Sequence, residues 1–424
     1  MAREESAVLA IDGGTPVRTK PMPQGLHGIN EVGEEEIAAV TEVLRRKKIF
    51  RFLLSDEDSY ASRFEAQYRE FIGTKYALAV TGGTTALITA LVGLGVSTGD
   101  EVIVPAYTYI ATAAAVLTVG AIPIIAEVDD TLTLDPADFE RKITPRTKCV
   151  IPVHMRGLPA QMDEIMAIAR RHNILVLEDV AQANGGEYKG RRLGSIGDAG
   201  AFSFQHYKVI TSGEGGMVVT DDEQVFRRAC CKHDSAMAFW KTEQTWQTFP
   251  GENSRMCELR AAVGYVQFQR MAGILAQTRK IKRRIAEGLV GTPGIELVRV
   301  SDPDGDCGIT FAFYLPTAEE AKRFSRALAH EGIRNGTIYN KDIPDRHIYA
   351  YWDYVMNKWS WDATGYPWAP RYYQGRVEYS QDMCPQTLDY LGRVITIGIS
   401  QSWTEADADD VIAAVRKVAA VYYQ

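Results

Sequence analysis

No stretch of this chain stays apolar for long without a break. The longest apolar run, Ala111 to Val128, carries Thr118, Gly120 and Pro123 inside it. That fits a buried helix running into a strand, not a membrane span. Long basic blocks are also missing. Only Arg45–Lys48 and Lys280–Arg284 cluster, and the net charge is −7, so nucleic acid is not an expected partner. The six cysteines, Cys149, Cys230, Cys231, Cys257, Cys307 and Cys384, form no C-x-x-C pair. That spacing suggests a reduced, cytoplasmic chain without disulfides. No His/Cys/carboxylate grouping suggests a metal. The opening Met-Ala-Arg-Glu-Glu-Ser lacks the basic-then-apolar order of a signal peptide. Internal repeats and low-complexity linkers are absent as well.

What is present is an alternation. With 46% hydrophobic and 24% charged residues over 424 positions, the composition is that of a globular protein able to bury a large core. Residues 1–30 read as an irregular arm lying on another surface. From Tyr76 the pattern runs strand, helix, strand, helix as far as Glu178, which predicts parallel βαβ units with both sheet faces covered. The expected fold is α/β. A three-layer large domain with a mostly parallel central sheet spans 31–277, and a smaller α+β domain spans 278–424. The boundary is placed within a long amphipathic helix near Gln277. In such a sheet, ligands collect at the carboxyl ends of the strands.

Four groups fall at those ends. Thr81-Gly82-Gly83-Thr84-Thr85 directly precedes a helix, where free backbone N–H groups and the helix dipole suit a phosphate. No Gly-Lys-Ser/Thr follows, so it is not a Walker loop; a plain capped turn is the alternative. Tyr109 closes Pro105-Ala106-Tyr107-Thr108-Tyr109, and an aromatic there can stack on a cofactor ring. Asp179 ends the strand Ile174–Glu178, where a carboxylate can keep a ring nitrogen protonated. Lys208 sits between Phe202-Ser203-Phe204 and Gly213-Glu214-Gly215-Gly216. A confined lysine can have its pKa brought down far enough to form a Schiff base. Each group alone has a structural explanation. Together, in the order phosphate turn, aromatic, aspartate, lysine, they point to a pyridoxal 5'-phosphate (PLP) site.

At these residues the sequence resembles fold-type I PLP enzymes of the DegT/StrS sugar aminotransferase type. The resemblance runs from about Glu34 to Val421. It is carried by Val80–Leu87, Pro105–Thr112, Pro152-Val153-His154 followed by Gly157, Glu178–Gln182, the Lys208 region, and Asn253-Ser254-Arg255-Met256. It implies that Lys208 forms the internal aldimine and shuttles the proton, and that Asp179 pairs with the pyridinium nitrogen. Gln182 would contact the ring hydroxyl region, and Tyr109 would stack on the ring. Gly82, Gly83, Thr84 and Ser203 would hold the phosphate. Asn253 would reach the phosphate of a partner subunit, so a homodimer with a shared site is expected. There are departures: Gly82 stands where the family usually has serine, Arg156 where an aromatic or aliphatic residue is common, and residues 345–380 are longer and more aromatic.

The resemblance further implies transfer of an amino group from L-glutamate or L-glutamine to a keto or aldehyde sugar or a cyclitol, through pyridoxamine phosphate, in amino-sugar or secondary-metabolite biosynthesis. Two alternatives are weighed. Related sugar dehydratases replace the lysine by histidine, which Lys208 argues against. A non-catalytic PLP-binding regulator would need a DNA-binding region that the chain does not show. His154 ends a strand and is a further candidate for catalysis, with a satisfied structural histidine as its other reading. For the acceptor, the loops supply Arg51, Arg156, Arg346 and Arg376, with Arg371, beside aromatic side chains. Guanidinium forks suit anions, so these residues lean the expectation toward an anionic acceptor.

Overall fold

Alternate residues of the central strands enter different cores. Val102 and Val104 pack into one hydrophobic cluster and Ile103, between them, into another. This follows from the two-residue side-chain period of a strand covered on both faces. A computed structural model describes residues 8–235, 247–341 and 343–423. The first seven residues of the expected arm, and Asp342 at the start of the aromatic stretch, lie outside the described residues.

The first strands are β1 (Tyr76–Val80), β2 (Glu101–Pro105), β3 (Ile122–Ala126), β4 (Thr147–Val150) and β5 (Leu175–Asp179). A short hairpin of β6 (Glu187–Tyr188) and β7 (Arg191–Arg192) follows, then β8 (Ala199–Ser203) and β9 (Gly216–Thr220). Seven of them form one sheet in the order β1-β9-β8-β5-β4-β2-β3. The pairs from β8 across to β3 are parallel, and β9 runs antiparallel to both β1 and β8. The sheet is therefore α/β and mostly parallel, with helices on both faces.

The smaller sheet holds β10 (Glu296–Leu297), β11 (Thr310–Tyr314), β12 (Gly336–Thr337) and β13 (Val394–Gly398), in the order β10-β11-β13-β12 and wholly antiparallel. Phe311, Phe313, Ile395 and Ile397 pack there with Phe324, Val411 and Val415 from two helices. The helix Glu258–Leu289 connects the two parts. Met271, Ile274 and Leu275 face the core of the large sheet, while Ile281, Ile285 and Leu289 face the core of the small one. Gln277 lies between them and donates to the Trp403 carbonyl at 2.7 Å.

Two further segments complete the fold, and the second packs differently from the sequence expectation. The arm docks on the chain's own C-terminal part: Leu9 enters the small core, and the Ala10 and Val17 amides donate to the Glu331 carboxylate at 2.8 and 3.0 Å. The aromatic stretch, placed by sequence in the small domain, returns to the large sheet. Ile348, Tyr349, Trp352 and Val355 enter the first core, and the Tyr349 amide donates to the Ala106 carbonyl at 3.0 Å. Its aromatics fill space over the β2–β3 side, where burial outweighs sequence proximity. Among the described residues, no helix is long and apolar enough to cross a membrane.

Candidate active site

The carboxyl ends of β1, β5 and β8 open onto one cavity of about 950 Å³. After β1, the helix Gly83–Gly93 begins at Gly82, so its first amides have no partner within the helix. A Cβ at Gly83 would lie 2.6 Å from Ser203 Cβ and 2.9 Å from Ser203 Oγ. Glycine is thus what lets this turn close against the end of β8. The result is a small cradle in which Thr81, Thr84, Thr85 and Ser203 line the cavity beside the unpaired amides of the helix start.

Asp179 ends β5 and is buried. Its Oδ2 accepts from the Thr112 hydroxyl at 2.9 Å and its Oδ1 from the Ala181 amide at 3.0 Å. The Thr112 hydroxyl lies 2.8 Å from that of Thr108. Burial pushes the Asp179 carboxyl above its ordinary pKa, and the Ala181 and Thr112 donors, with Lys208 and His154, push it back. A cationic partner at Asp179 would complete that compensation.

Lys208 lies in a loop folded back between β8 and β9. The Lys208 amide donates to the Gln205 carbonyl at 2.9 Å, and the Ser212 amide to the Phe204 carbonyl at 2.9 Å. Gly213, in the left-handed region at φ +79, makes the return bend. Burial lowers the pKa of the Lys208 amine, against the opposing pull of Asp179 and Glu214. A lowered pKa leaves more neutral amine near neutral pH, as a nucleophile and proton carrier needs.

The cavity gathers Gly82, Gly83, Thr84, Tyr109, Asp179, Gln182, Ser203 and Lys208. The Tyr109 ring is half exposed at the cavity wall, its centroid 5.2 Å from that of His347. Asn253 is exposed and does not line the cavity. His154 is fully buried beneath it. Its Nδ1 accepts from the Ala160 amide at 3.1 Å, which leaves Nε2 to donate to Glu178 at 3.1 Å. With both nitrogens held inside the protein, His154 does not line the cavity, although its neighbour Val153 does.

The four candidate substrate arginines are not brought into the cavity. Arg51 is buried and forms a double hydrogen bond to Glu65, at 2.8 and 2.6 Å. The Arg156 Nε donates to the Tyr107 hydroxyl at 2.5 Å. Arg376 is exposed, 3.7 Å from Glu378. Arg346 is exposed on an adjoining groove that shares Tyr109 and His347 with the cavity. Arg371 donates to the Thr364 carbonyl at 2.8 Å. Sequence reasoning missed Thr112, Glu214, Arg260 and His347, which do line the cavity. Thr112, three residues after Tyr109 on the first helical turn, had a positional signal; Arg260 and His347 come from distant segments and had none.

The model of the DegT/DnrJ/EryC1/StrS aminotransferase family matches residues 30–360. The chain belongs to this family. It is 38% identical over 295 residues, 68% of each chain, to a putative L-glutamine:3-amino-2,3-dideoxy-scyllo-inosose aminotransferase of Micromonospora echinospora. To the L-glutamine:2-deoxy-scyllo-inosose aminotransferase of the same organism it is 33% identical over 440 aligned residues, 97% of each chain. Among solved structures it is similar to S. venezuelae DesV in complex with a ketimine intermediate, with 30% identity, a TM-score of 0.72, and 91% of this chain and 94% of that one covered.

The protein is an aminotransferase, and its family implies dependence on PLP. The residues fit that cofactor: an amide cradle that only glycine at position 83 leaves open, a buried carboxylate short of a cation, and a lysine with a lowered pKa on the same cavity.

Proposed function

We propose that Lys208 holds PLP covalently, and that the cavity transfers an amino group from L-glutamine or L-glutamate to a neutral polyhydroxylated ketone of the inosose class. The observation that carries this reading is that Asp179 and Lys208 share one cavity and each bears on the other's titration. The bound cofactor supplies the electron sink and carries the amino group between the two half-reactions.

The remaining work falls to the chain. Asp179, oriented by Thr112 and Ala181, would hold a proton on the ring nitrogen. The Lys208 amine, released from the cofactor when the donor takes its place, would carry the proton for the donor's reacting carbon in one half-reaction and for the acceptor's in the other. Tyr109 would cover the ring, Gln182 would approach its hydroxyl side, and the Thr81–Thr85 turn with Ser203 would take the phosphate.

The neutral acceptor departs from the anionic lean that the loop arginines gave. Among the described residues, the only cationic side chains lining the cavity are Lys208 and Arg260, and Glu214 adds a negative one. Tyr109, Gln205, Tyr207 and His347 also line the cavity, which suits hydroxyl groups and a ring face. The scyllo-inosose names of the two relatives support the same class.

A homodimer with a shared site is part of the proposal, in a reducing cytoplasm that suits the cysteine spacing. The Thr81 amide donates to the Ser254 carbonyl at 3.0 Å, so the segment bearing Asn253 is joined to the phosphate turn. Asn253 itself faces outward, as a residue serving a partner's site would.

The test is a single-turnover panel. Protein loaded with pyridoxamine phosphate is offered neutral inososes, nucleotide-linked keto sugars, keto sugar acids and simple 2-oxo acids. Return of the lysine-bound absorbance band with inososes is expected. Response only to the anionic sugars would overturn the neutral class, and response only to 2-oxo acids would overturn the cyclitol or sugar assignment. Borohydride should fix the cofactor to a peptide containing Lys208.

A further inference from the structure

We propose that Arg260 supplies the positive charge that holds the cofactor's phosphate in this chain; the inference rests on the PLP reading above. The phosphate cradle itself is neutral. Thr81, Thr84, Thr85 and Ser203 bring hydroxyls beside the amides of the helix start, while a phosphate monoester carries close to two negative charges at neutral pH. Dipoles at a helix N-terminus compensate only part of that.

Arg260 is placed to supply the rest. It lies in the first turn of the helix Glu258–Leu289 and lines the same cavity as the Thr81–Thr85 turn. Its Nη1 donates to the carbonyl of Thr81, the first residue of that turn, at 3.4 Å. This is a long bond to a neutral acceptor, so most of the guanidinium's donor capacity is left over.

Its neighbours are engaged elsewhere. Arg255 pairs with Asp234 at 2.8 Å and Arg51 with Glu65 at 2.6 Å. Among the described residues, Arg260 forms no ion pair with a carboxylate. Glu258, two residues before it, does not neutralise it. That carboxylate is buried and accepts from the Ser59 hydroxyl and the Tyr60 amide, each at 2.7 Å. The same bonds fix the start of the helix and hence the position of Arg260. Glu214, the other carboxylate besides Asp179 on the cavity wall, acts on Lys208. The departure at Gly82, which removes a hydroxyl from the cradle, fits a site that relies on a guanidinium.

The experiment measures affinity, independently of turnover. Cofactor-free wild type, Arg260→Gln and Arg260→Lys are titrated with PLP and, separately, with pyridoxal, which lacks the phosphate, and binding is followed by absorbance. Arg260→Gln should weaken PLP binding roughly tenfold or more while pyridoxal affinity holds, and Arg260→Lys should recover part of the loss, because a charge-assisted contact to phosphate is removed in one and kept in the other. Unchanged PLP affinity in Arg260→Gln would overturn the proposal. Equal losses for PLP and pyridoxal would also overturn it, by showing a structural role. Intact PLP binding with a raised KM for glutamine would reassign the guanidinium to the donor's carboxylate. A wild type that binds neither compound would instead remove the PLP reading itself.

Discussion

The Thr112 hydroxyl donates to Oδ2 of Asp179 across 2.9 Å, joining the first turn of the helix Ala111–Thr118 to the end of β5. Only one other described donor, the Ala181 amide, reaches that carboxylate. Thr112→Val keeps the shape and removes the donor. The bond favours the ionised carboxyl, so its loss raises the Asp179 pKa further and keeps the group protonated to higher pH. The acid limb of the kcat profile should move up in pH. A hydrogen bond to a charged group contributes about 1.5–3 kcal/mol, so kcat should fall roughly ten- to a hundredfold. An unmoved limb and unchanged kcat would show that Thr112 is a packing residue.

Glu214 acts in the opposite sense on Lys208. Its carboxylate favours the ammonium form and raises the lysine pKa against the lowering by burial. In Glu214→Gln that pull is gone, so the amine should lose its proton at lower pH. The rate at which cofactor-free protein captures PLP, plotted against pH, should rise earlier on the acid side than in wild type. A profile shifted to higher pH would mean that Glu214 has another role.

Arg156 separates stability from recognition. Its side chain donates to the buried Tyr107 hydroxyl, while its backbone amide donates to Gln182 Oε1 at 3.1 Å. Arg156→Met removes the first contact and keeps the second. The buried Tyr107 hydroxyl then loses its partner, at a cost of about 1–3 kcal/mol. Denaturant unfolding should show that loss, with the acceptor KM little changed. A sharply raised KM at unchanged stability would return Arg156 to substrate binding.

These variants also mark where the sequence was readable. Asp179, Lys208 and the Thr81–Thr85 turn were legible because βαβ alternation fixes where strands end, and their residue types carry the chemistry. Arg51 and Arg156 were misplaced because a loop's composition does not reveal distant partners such as Glu65 and Tyr107 that draw a guanidinium inward. Arg260 was invisible for the same reason in reverse. It reads as one more polar position on a long helix, and only the approach of that helix to Thr81, 179 residues away in the chain, brings it to the cavity. The aromatics of residues 345–380 were set beside the candidate acceptor arginines, yet Trp352 and Tyr349 are core residues. Aromatic density reports buried area before it reports a ligand.

Assembly gives the last prediction. Lys208 lines the cavity, while Asn253 of the same chain is exposed away from it. If each site takes its lysine from one subunit and its asparagine from the other, the two residues can be separated by complementation. Lys208→Ala should be inactive. Asn253→Asp should be nearly so, because it sets a carboxylate against the phosphate. Mixed after mild dissociation, the two should form hybrids in which one site carries both lesions and the other carries neither. With random reassociation of equal amounts, half the dimers are hybrids with one intact site each, so about a quarter of wild-type activity should return. No recovery, with hybrids demonstrated by mass, would place Lys208 and Asn253 in the service of the same chain's site and would remove the shared-site arrangement.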